Sequence, residues 1–238
     1  MITTAVILAA GMGTRFGDMT ENMPKGFVMF KHKPMIERSI QTLISCGISR
    51  IIIGTGYKQE CYNALREKYP QIECVFSPLY AETNSMYTLY NCRDAIGTSD
   101  FLLLESDLVF NARAITTLLE SNYPSAMLIT SVRKFQDQYY VQMNANGELT
   151  MCSTDKSQLT PSGELVGIHK ISHSFYQIMV DDYAGKWQCT PKLGYEYELL
   201  YVSRNITPLH VVKDDKCIWY EIDDIRDLSY AEDHICID

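Results

Sequence analysis

Residues 4–17, Thr4-Ala5-Val6-Ile7-Leu8-Ala9-Ala10-Gly11-Met12-Gly13-Thr14-Arg15-Phe16-Gly17, decide how the rest of the chain is read. The first seven are almost wholly apolar and are bounded by glycine, the pattern of a short strand buried on both faces of a parallel sheet. The glycines that follow permit a tight turn and let backbone N–H groups approach a ligand. Arg15 comes next, and Pro24-Lys25 soon after, so N–H dipoles and two cations converge on one small region. That combination suits a polyphosphate. The loop is no Walker A motif, because no Gly-Lys-Ser/Thr closes it, and the dinucleotide fingerprint is incomplete.

Outward from this stretch, Pro34 opens a helix bearing Met35, Ile36, Ile40, Leu43 and Ile44 at helical spacing, and Gly47 ends it. Strands over 50–54, 72–77, 101–104 and 126–132 alternate with helices over 59–69, 84–96 and 112–121. Strand alternating with helix predicts a parallel sheet with right-handed crossovers. Thr83 or Asn84 is the expected N-cap of the helix that follows residue 78. Asn84 and Ser85 stand where a ligand can be met. Tyr87 and Tyr90, three residues apart, read either as core or as ligand contacts.

From residue 133 the alternation stops. Residues 139–151 read as a hairpin turning at Asn144-Ala145-Asn146-Gly147, followed by a strand over 165–171 and helices over 172–183 and from 194. The expected organisation is one domain: a nucleotide-binding core over 1–132, a smaller α+β lid over 133–207, and return strands with a terminal helix over 208–238. No repeat or flexible linker interrupts it.

Glu105 and Asp107 follow an apolar strand, at the edge where α/β sheets bind ligands. Glu221 and Asp223 alternate along an extended segment and share a face, whereas Asp224 reads as a helix cap or a ligand. Five histidines are scattered without partner spacing, so no nucleophile or base is assigned to them. Among aromatic residues, Tyr139, Tyr140, Tyr195, Tyr197 and Trp219 could build a cage for a quaternary ammonium. Glu196 and Glu198 could instead accept from a primary ammonium. Their interleaving in one segment leaves both readings open.

Composition narrows the class. Of 238 residues, 46% are hydrophobic and 21% charged, ordinary values for a globular domain, and no apolar run approaches the length of a membrane span. The net charge of −8 argues against broad nucleic-acid binding, so an anionic substrate must be held by local cations and metal. Eight cysteines without a CxxC pair sit mostly in apolar segments, the pattern of a reduced cytoplasmic protein rather than a disulfide framework or zinc site. Met1-Ile2-Thr3-Thr4 leads directly into the first strand, with no signal peptide.

The strings LAAGMGTRFGDMTENMPKGF (8–27), KPMIERSIQTLISCGISRIIIGTGY (33–57) and WYEIDDIRDLSYAE (219–232) resemble those of nucleotidylyltransferases that activate sugars, cholines and polyols. Over nearly the full chain, the resemblance is to the small cytidylyltransferases acting on phosphocholine or 2-aminoethylphosphonate. It implies a Rossmann-like α/β fold, CTP as donor and Mg2+ as cofactor. It places Leu8, Ala9, Ala10, Gly11, Gly13, Thr14, Arg15, Lys25, Asn84, Ser85 and Glu105 at the nucleotide, with Arg15 and Lys25 as the catalytic cations. Asp107, Glu221 and Asp223 would hold the metal, and Tyr139, Tyr140, Tyr195, Glu196, Glu198 and Trp219 the acceptor. A homodimer fits the expectation; nucleic acid and membrane do not. Some members carry this domain fused to an aminotransferase or kinase, and the ending Glu232-Asp233-His234-Ile235-Cys236-Ile237-Asp238 does not resemble a natural stop. The rival readings are a sugar-1-phosphate nucleotidylyltransferase and an inactive nucleotide-sensing subunit.

Overall fold

The computed structural model describes residues 1–133 and 138–237; the opening of the expected lid at 134–137 and Asp238 of the expected terminal segment lie outside the described residues. The apolar run forms β1 (Thr4–Ala9), buried at every position. Two 3-10 helices, Thr14–Thr20 and Lys25–Phe27, carry the loop to a small hairpin of β2 (Met29–Phe30) and β3 (Lys33–Pro34). Then follow α1 (Met35–Ser45), β4 (Arg50–Thr55), α2 (Gln59–Lys68), β5 (Ile72–Phe76), α3 (Ser85–Asn91), α4 (Arg93–Ile96) and β6 (Phe101–Glu105). β7 (Leu108–Phe110), α5 (Ala112–Glu120) and β8 (Ala126–Thr130) complete the first half. The second half adds β9 (Tyr140–Met143), β10 (Leu149–Ser153), β11 (Gly163–Ile171), α6 (His173–Ala184), α7 (Tyr195–Asn205), β12 (His210–Lys213), β13 (Trp219–Glu221) and α8 (Ile225–His234).

β1 lies between β4 and β6, parallel to both, with Thr4 opposite Arg50 and Leu8 opposite Glu105; β5 extends the parallel set beyond β4. Successive side chains alternate between faces. Ala5, Ile7 and Ala9 enter one core with Ile36, Ile40 and Leu43 of α1 and Ile115 and Leu118 of α5. Val6 and Leu8 enter the other with Met86 and Leu89 of α3, Phe175 and Met179 of α6, and Leu199 of α7. Burying each large aliphatic side chain contributes about 1.5–3 kcal/mol.

The sheet is mixed beyond β6. β11 runs antiparallel to β6 over 168–171 and to β9 over 163–164, and antiparallel to β8 along its other edge. β8 reaches β11 through the β9–β10 hairpin rather than through a crossover helix, and a hairpin reverses chain direction. The strands of 139–171 thus continue the central sheet, and α6 and α7 share the core of the nucleotide half. The register of β11 slips between Leu165 and His169, where Gly167 takes φ 78°, a glycine bulge facing the carboxyl end of β6. A third cluster of Phe16, Val28, Phe30, Met35, Val109 and Ile222 fastens the glycine loop to β7 and the segment before α8. All eight cysteines are free thiols, and no helix among the described residues is long and apolar enough to cross a membrane.

Candidate active site

At the carboxyl edge of β1 the chain turns through Ala10, Gly11 and Gly13. Gly13 takes φ 63°, and a Cβ there would stand 3.0 Å from Lys25 Cβ, so only glycine lets the lysine pass this close. The Gly13 carbonyl accepts from Phe16 N (3.0 Å) and from Thr20 Oγ1 (2.9 Å), while buried Phe16 anchors the loop. Ser106 N bonds to Leu8 O (3.2 Å), and Ile222 N bonds to Asp107 O (3.0 Å). β13 pairs with β7, placing Glu221 opposite Leu108. These backbone bonds bring segments distant in the chain to one cleft of about 300 Å³.

Lys25 Nζ lies 2.5 Å from Asp107 Oδ2 and 2.6 Å from Asp223 Oδ1, and an Arg15 guanidinium nitrogen lies 2.7 Å from the same Asp223 oxygen. Burial works against the lysine's charge, yet the adjacent Asp107 and Asp223 carboxylates hold it well above the usual lysine range. Lys25 is therefore a permanent cation rather than a base. Arg15 is more exposed, at the rim of the cleft.

Glu105 is half-buried beside these groups. Burial raises its carboxyl well above the ordinary range, and the charges of Asp107, Glu196 and Glu221 act in the same direction. Tyr195 Oη donates to Glu105 Oε1 (2.9 Å) and is itself hydrogen-bonded to His169 Nε2 (3.2 Å). Burial pushes His169 down to about 3, so it backs Tyr195 as a neutral ring. Glu196 is 6% exposed and is also raised by burial. Its position depends on Gly194, where a Cβ would meet Glu196 Oε2 at 2.4 Å.

The start of α7 is stitched to that of α3. Tyr195 N donates to Ser85 Oγ (3.0 Å), Met86 N to Leu193 O (3.3 Å), and Asn84 Nδ2 to Lys192 O (3.2 Å). Asn84 caps α3 by accepting from Ser85 N.

Of the residues expected at the nucleotide, Leu8, Ala10, Gly11, Gly13, Arg15, Lys25, Asn84, Ser85 and Glu105 line the cleft. Ala9 and Thr14 do not. The Ala9 side chain falls on the opposite sheet face, and Thr14 opens the 3-10 helix outside the lining. Asp107, Glu221 and Asp223 are all brought to the cleft. Of the expected acceptor set, Tyr139 and Glu196 line it, and four residues do not.

Each exception has a geometric cause. Tyr140 follows Tyr139 and points to the other face, where its hydroxyl accepts from Gln138 Nε2 (2.8 Å). Tyr195 lies beneath the cleft, behind Glu105. Glu198 is two residues beyond Glu196, so the helical turn carries it away, to Lys186 Nζ at 2.9 Å. Trp219 is buried under the sheet, its indole N–H on Thr130 Oγ1 (3.1 Å). Tyr87 and Tyr90 pack against Trp187 and Tyr183, the core alternative, and Asp224 is the N-cap of α8.

Tyr80, Thr88 and Ser106 line the cleft without having been singled out, and Thr83, expected only as a possible cap, lines it too. Gly56 carries the signal for Tyr80: a Cβ there would stand 2.6 Å from Ala10 O and from Tyr80 Cβ.

The donor set fits a magnesium ion. Glu105, Asp107 and Glu221 each offer a carboxylate oxygen within 4.8 Å of the others, and Asp107 Oδ1 is buried without a hydrogen-bond partner among the described residues. Hard oxygen donors without thiol or imidazole are what this cation prefers.

Residues 5–162 match the MobA-like NTP transferase domain. The chain belongs to this family. Within it, the chain is 40% identical over 119 residues to the choline-phosphate cytidylyltransferase of Streptococcus pneumoniae, covering 50% of this chain and 51% of that one. It is 35% identical over 109 residues to the 2-aminoethylphosphonate cytidylyltransferase of Lancefieldella rimae, covering 46% and 44%. The aligned stretch thus spans about half the length of these curated relatives. In fold, this MobA-like chain superposes on the solved CTP:phosphocholine cytidylyltransferase from Streptococcus pneumoniae with a TM-score of 0.79 at 24% identity, over 98% of this chain and 99% of that one.

Proposed function

We propose that the protein is a Mg2+-dependent cytidylyltransferase that joins CTP to a small amino- or ammonium-bearing phosphonate or phosphate ester and releases pyrophosphate. The observation that carries this reading is the meeting of Lys25 and Arg15 with Asp107 and Asp223 beside the glycine turn of β1. The reaction needs two polyanions held together and charge neutralised as it develops; no covalent nucleophile from the protein is required.

In this reading Gly11 and Gly13 cradle phosphate oxygens with backbone N–H groups, and Arg15 grips the departing pyrophosphate with its planar fork. Lys25 faces the α-phosphate and the attacking acceptor oxygen. Leu8, Ala10, Asn84 and Ser85 border the nucleoside. Asp107, Glu221 and Asp223, with Glu105 beside them, would hold Mg2+, which when bound supplies Lewis-acid polarisation of the phosphates. 2-Aminoethylphosphonate is the first-choice acceptor and phosphocholine the second; a cytidylyltransferase named for each is similar to this chain.

The test is pyrophosphate release with CTP and Mg2+ against 2-aminoethylphosphonate, phosphocholine, phosphoethanolamine and glucose-1-phosphate. Turnover with an amino or ammonium acceptor is the expected result. Turnover with glucose-1-phosphate alone would replace this reading by a sugar nucleotidylyltransferase.

A further inference from the structure

Behind the main cleft a recess of about 80 Å³ opens between the end of β6 and the bulge of β11, and Glu105 and Glu196 line both spaces. Glu221 and Tyr139 also line both spaces, and the remaining recess walls are Leu108, Leu165, Val166 and Gly167. Gly167 shapes it: a Cβ at that residue would stand 3.1 Å from Leu108 Cδ1 and 3.4 Å from Glu105 Oε2. Lys25 and Arg15 are committed to the Asp107–Asp223 side of the cleft. No lysine or arginine among the described residues pairs with Glu105 or Glu196. Glu196 Oε2 is buried and has no hydrogen-bond partner among the described residues. A buried carboxylate oxygen left without a donor is costly, and a ligand that brings one is recognised for that reason.

Two cationic groups could enter. A quaternary ammonium has no N–H and is held by several aromatic faces. Of the residues suited to such a cage, Tyr139 alone lines the recess; Tyr140, Tyr195 and Trp219 are directed elsewhere, and Tyr197, in edge contact with Tyr139, is not part of its wall. A primary ammonium brings three N–H donors and a compact charge. It matches a recess where buried Glu196 and the half-buried Glu105 and Glu221 stand among aliphatic walls. Resting on the cytidylyltransferase reading above, we infer that this recess is the subsite for the acceptor's cationic end and that Glu196 makes it selective for a primary over an N-methylated ammonium.

The experiment is pyrophosphate release with CTP and Mg2+ for 2-aminoethylphosphonate and its N-methyl, N,N-dimethyl and N,N,N-trimethyl derivatives, in the full chain and in Glu196→Gln. For the unaltered protein, kcat/KM should fall at least tenfold from the primary to the trimethylated acceptor. In Glu196→Gln, KM for the primary amine should rise at least tenfold while kcat/KM for the trimethylated compound changes less than threefold. KM for CTP should stay within twofold, and an unchanged Tm shows that the variant folds. Turnover that is flat or rising along the methyl series, or an equal loss for every member in Glu196→Gln, would overturn the inference and leave the cytidylyltransferase reading standing. No turnover along the series, with turnover on glucose-1-phosphate, would overturn both.

Discussion

Lys25 shows how much one residue depends on its neighbours. Its ammonium is gripped by carboxylates from the end of β6 and from the segment after β13, and its stem passes close to a glycine at which any side chain would be strained. Lys25→Ala or Asp107→Ala should lower kcat by two orders of magnitude or more, the scale of losing one fixed electrostatic partner of a transition state. Circular dichroism should show the fold intact, and near-normal turnover in either variant would sink the assigned roles. Gly13→Ala tests the support beneath. It forces a left-handed backbone onto a residue with a Cβ and crowds Lys25, a strain of about 1–2 kcal/mol. The expected result is a Tm lower by several degrees together with at least a tenfold loss in kcat/KM. Unchanged kinetics would show that Lys25 does not depend on this contact.

The first turn of α7 turns two glutamates to opposite uses. Glu196 enters the cleft, whereas Glu198 is fully buried against Lys186, which also pairs with Asp182. Burial pushes Glu198 up to about 7, against the hydrogen bond from Lys186. A carboxyl raised on folding stabilises the fold below its ordinary value near 4.5, and that contribution is lost as pH rises through about 7. Stability should thus decline between pH 5 and pH 8, with Glu198 contributing on the order of 1–2 kcal/mol. Thermal melts of Glu198→Gln should show a flatter decline, and an unaltered slope would remove Glu198 as the cause. At this scale the sequence is informative wherever apolar periodicity is strong. β1, β4, α1 and α5 fall within a residue or two of their expected bounds, and the Asn-Gly hairpin forms as its turn chemistry dictates. The destination of Glu198 was not legible, because Tyr195-Glu196-Tyr197-Glu198 carries no clear apolar stripe and only packing against α6 fixes the rotation.

Across the whole molecule, ligand binding should register as stability. CTP with Mg2+ at about a hundred times the dissociation constant adds roughly 2.7 kcal/mol, or about 5–11 °C in a chain of this size. Thermal melts with CTP alone should show a smaller shift, and EDTA should abolish pyrophosphate release; an identical shift in EDTA would argue against a metal. The parallel half of the sheet and both clusters of charge could be read from the chain, since each lies at the end of an apolar strand. The antiparallel joining of β11 to β6 could not, because β11 is an apolar strand whose partner is set by tertiary contact. The bulge at Gly167 and the recess beside it were hidden for the same reason.

The family match closes at residue 162, with Arg15, Lys25, Asn84, Glu105 and Asp107 before it and Gly167, Glu196, Glu221 and Asp223 after it. The cations that would face the donor come from the opening third of the chain, whereas the recess that would sort acceptors is shaped largely by β11 and α7. Such a division lets the two halves drift at different rates. A lineage can exchange one small acceptor for another by altering a bulge or one helical turn, and inherit the grip on the nucleotide untouched.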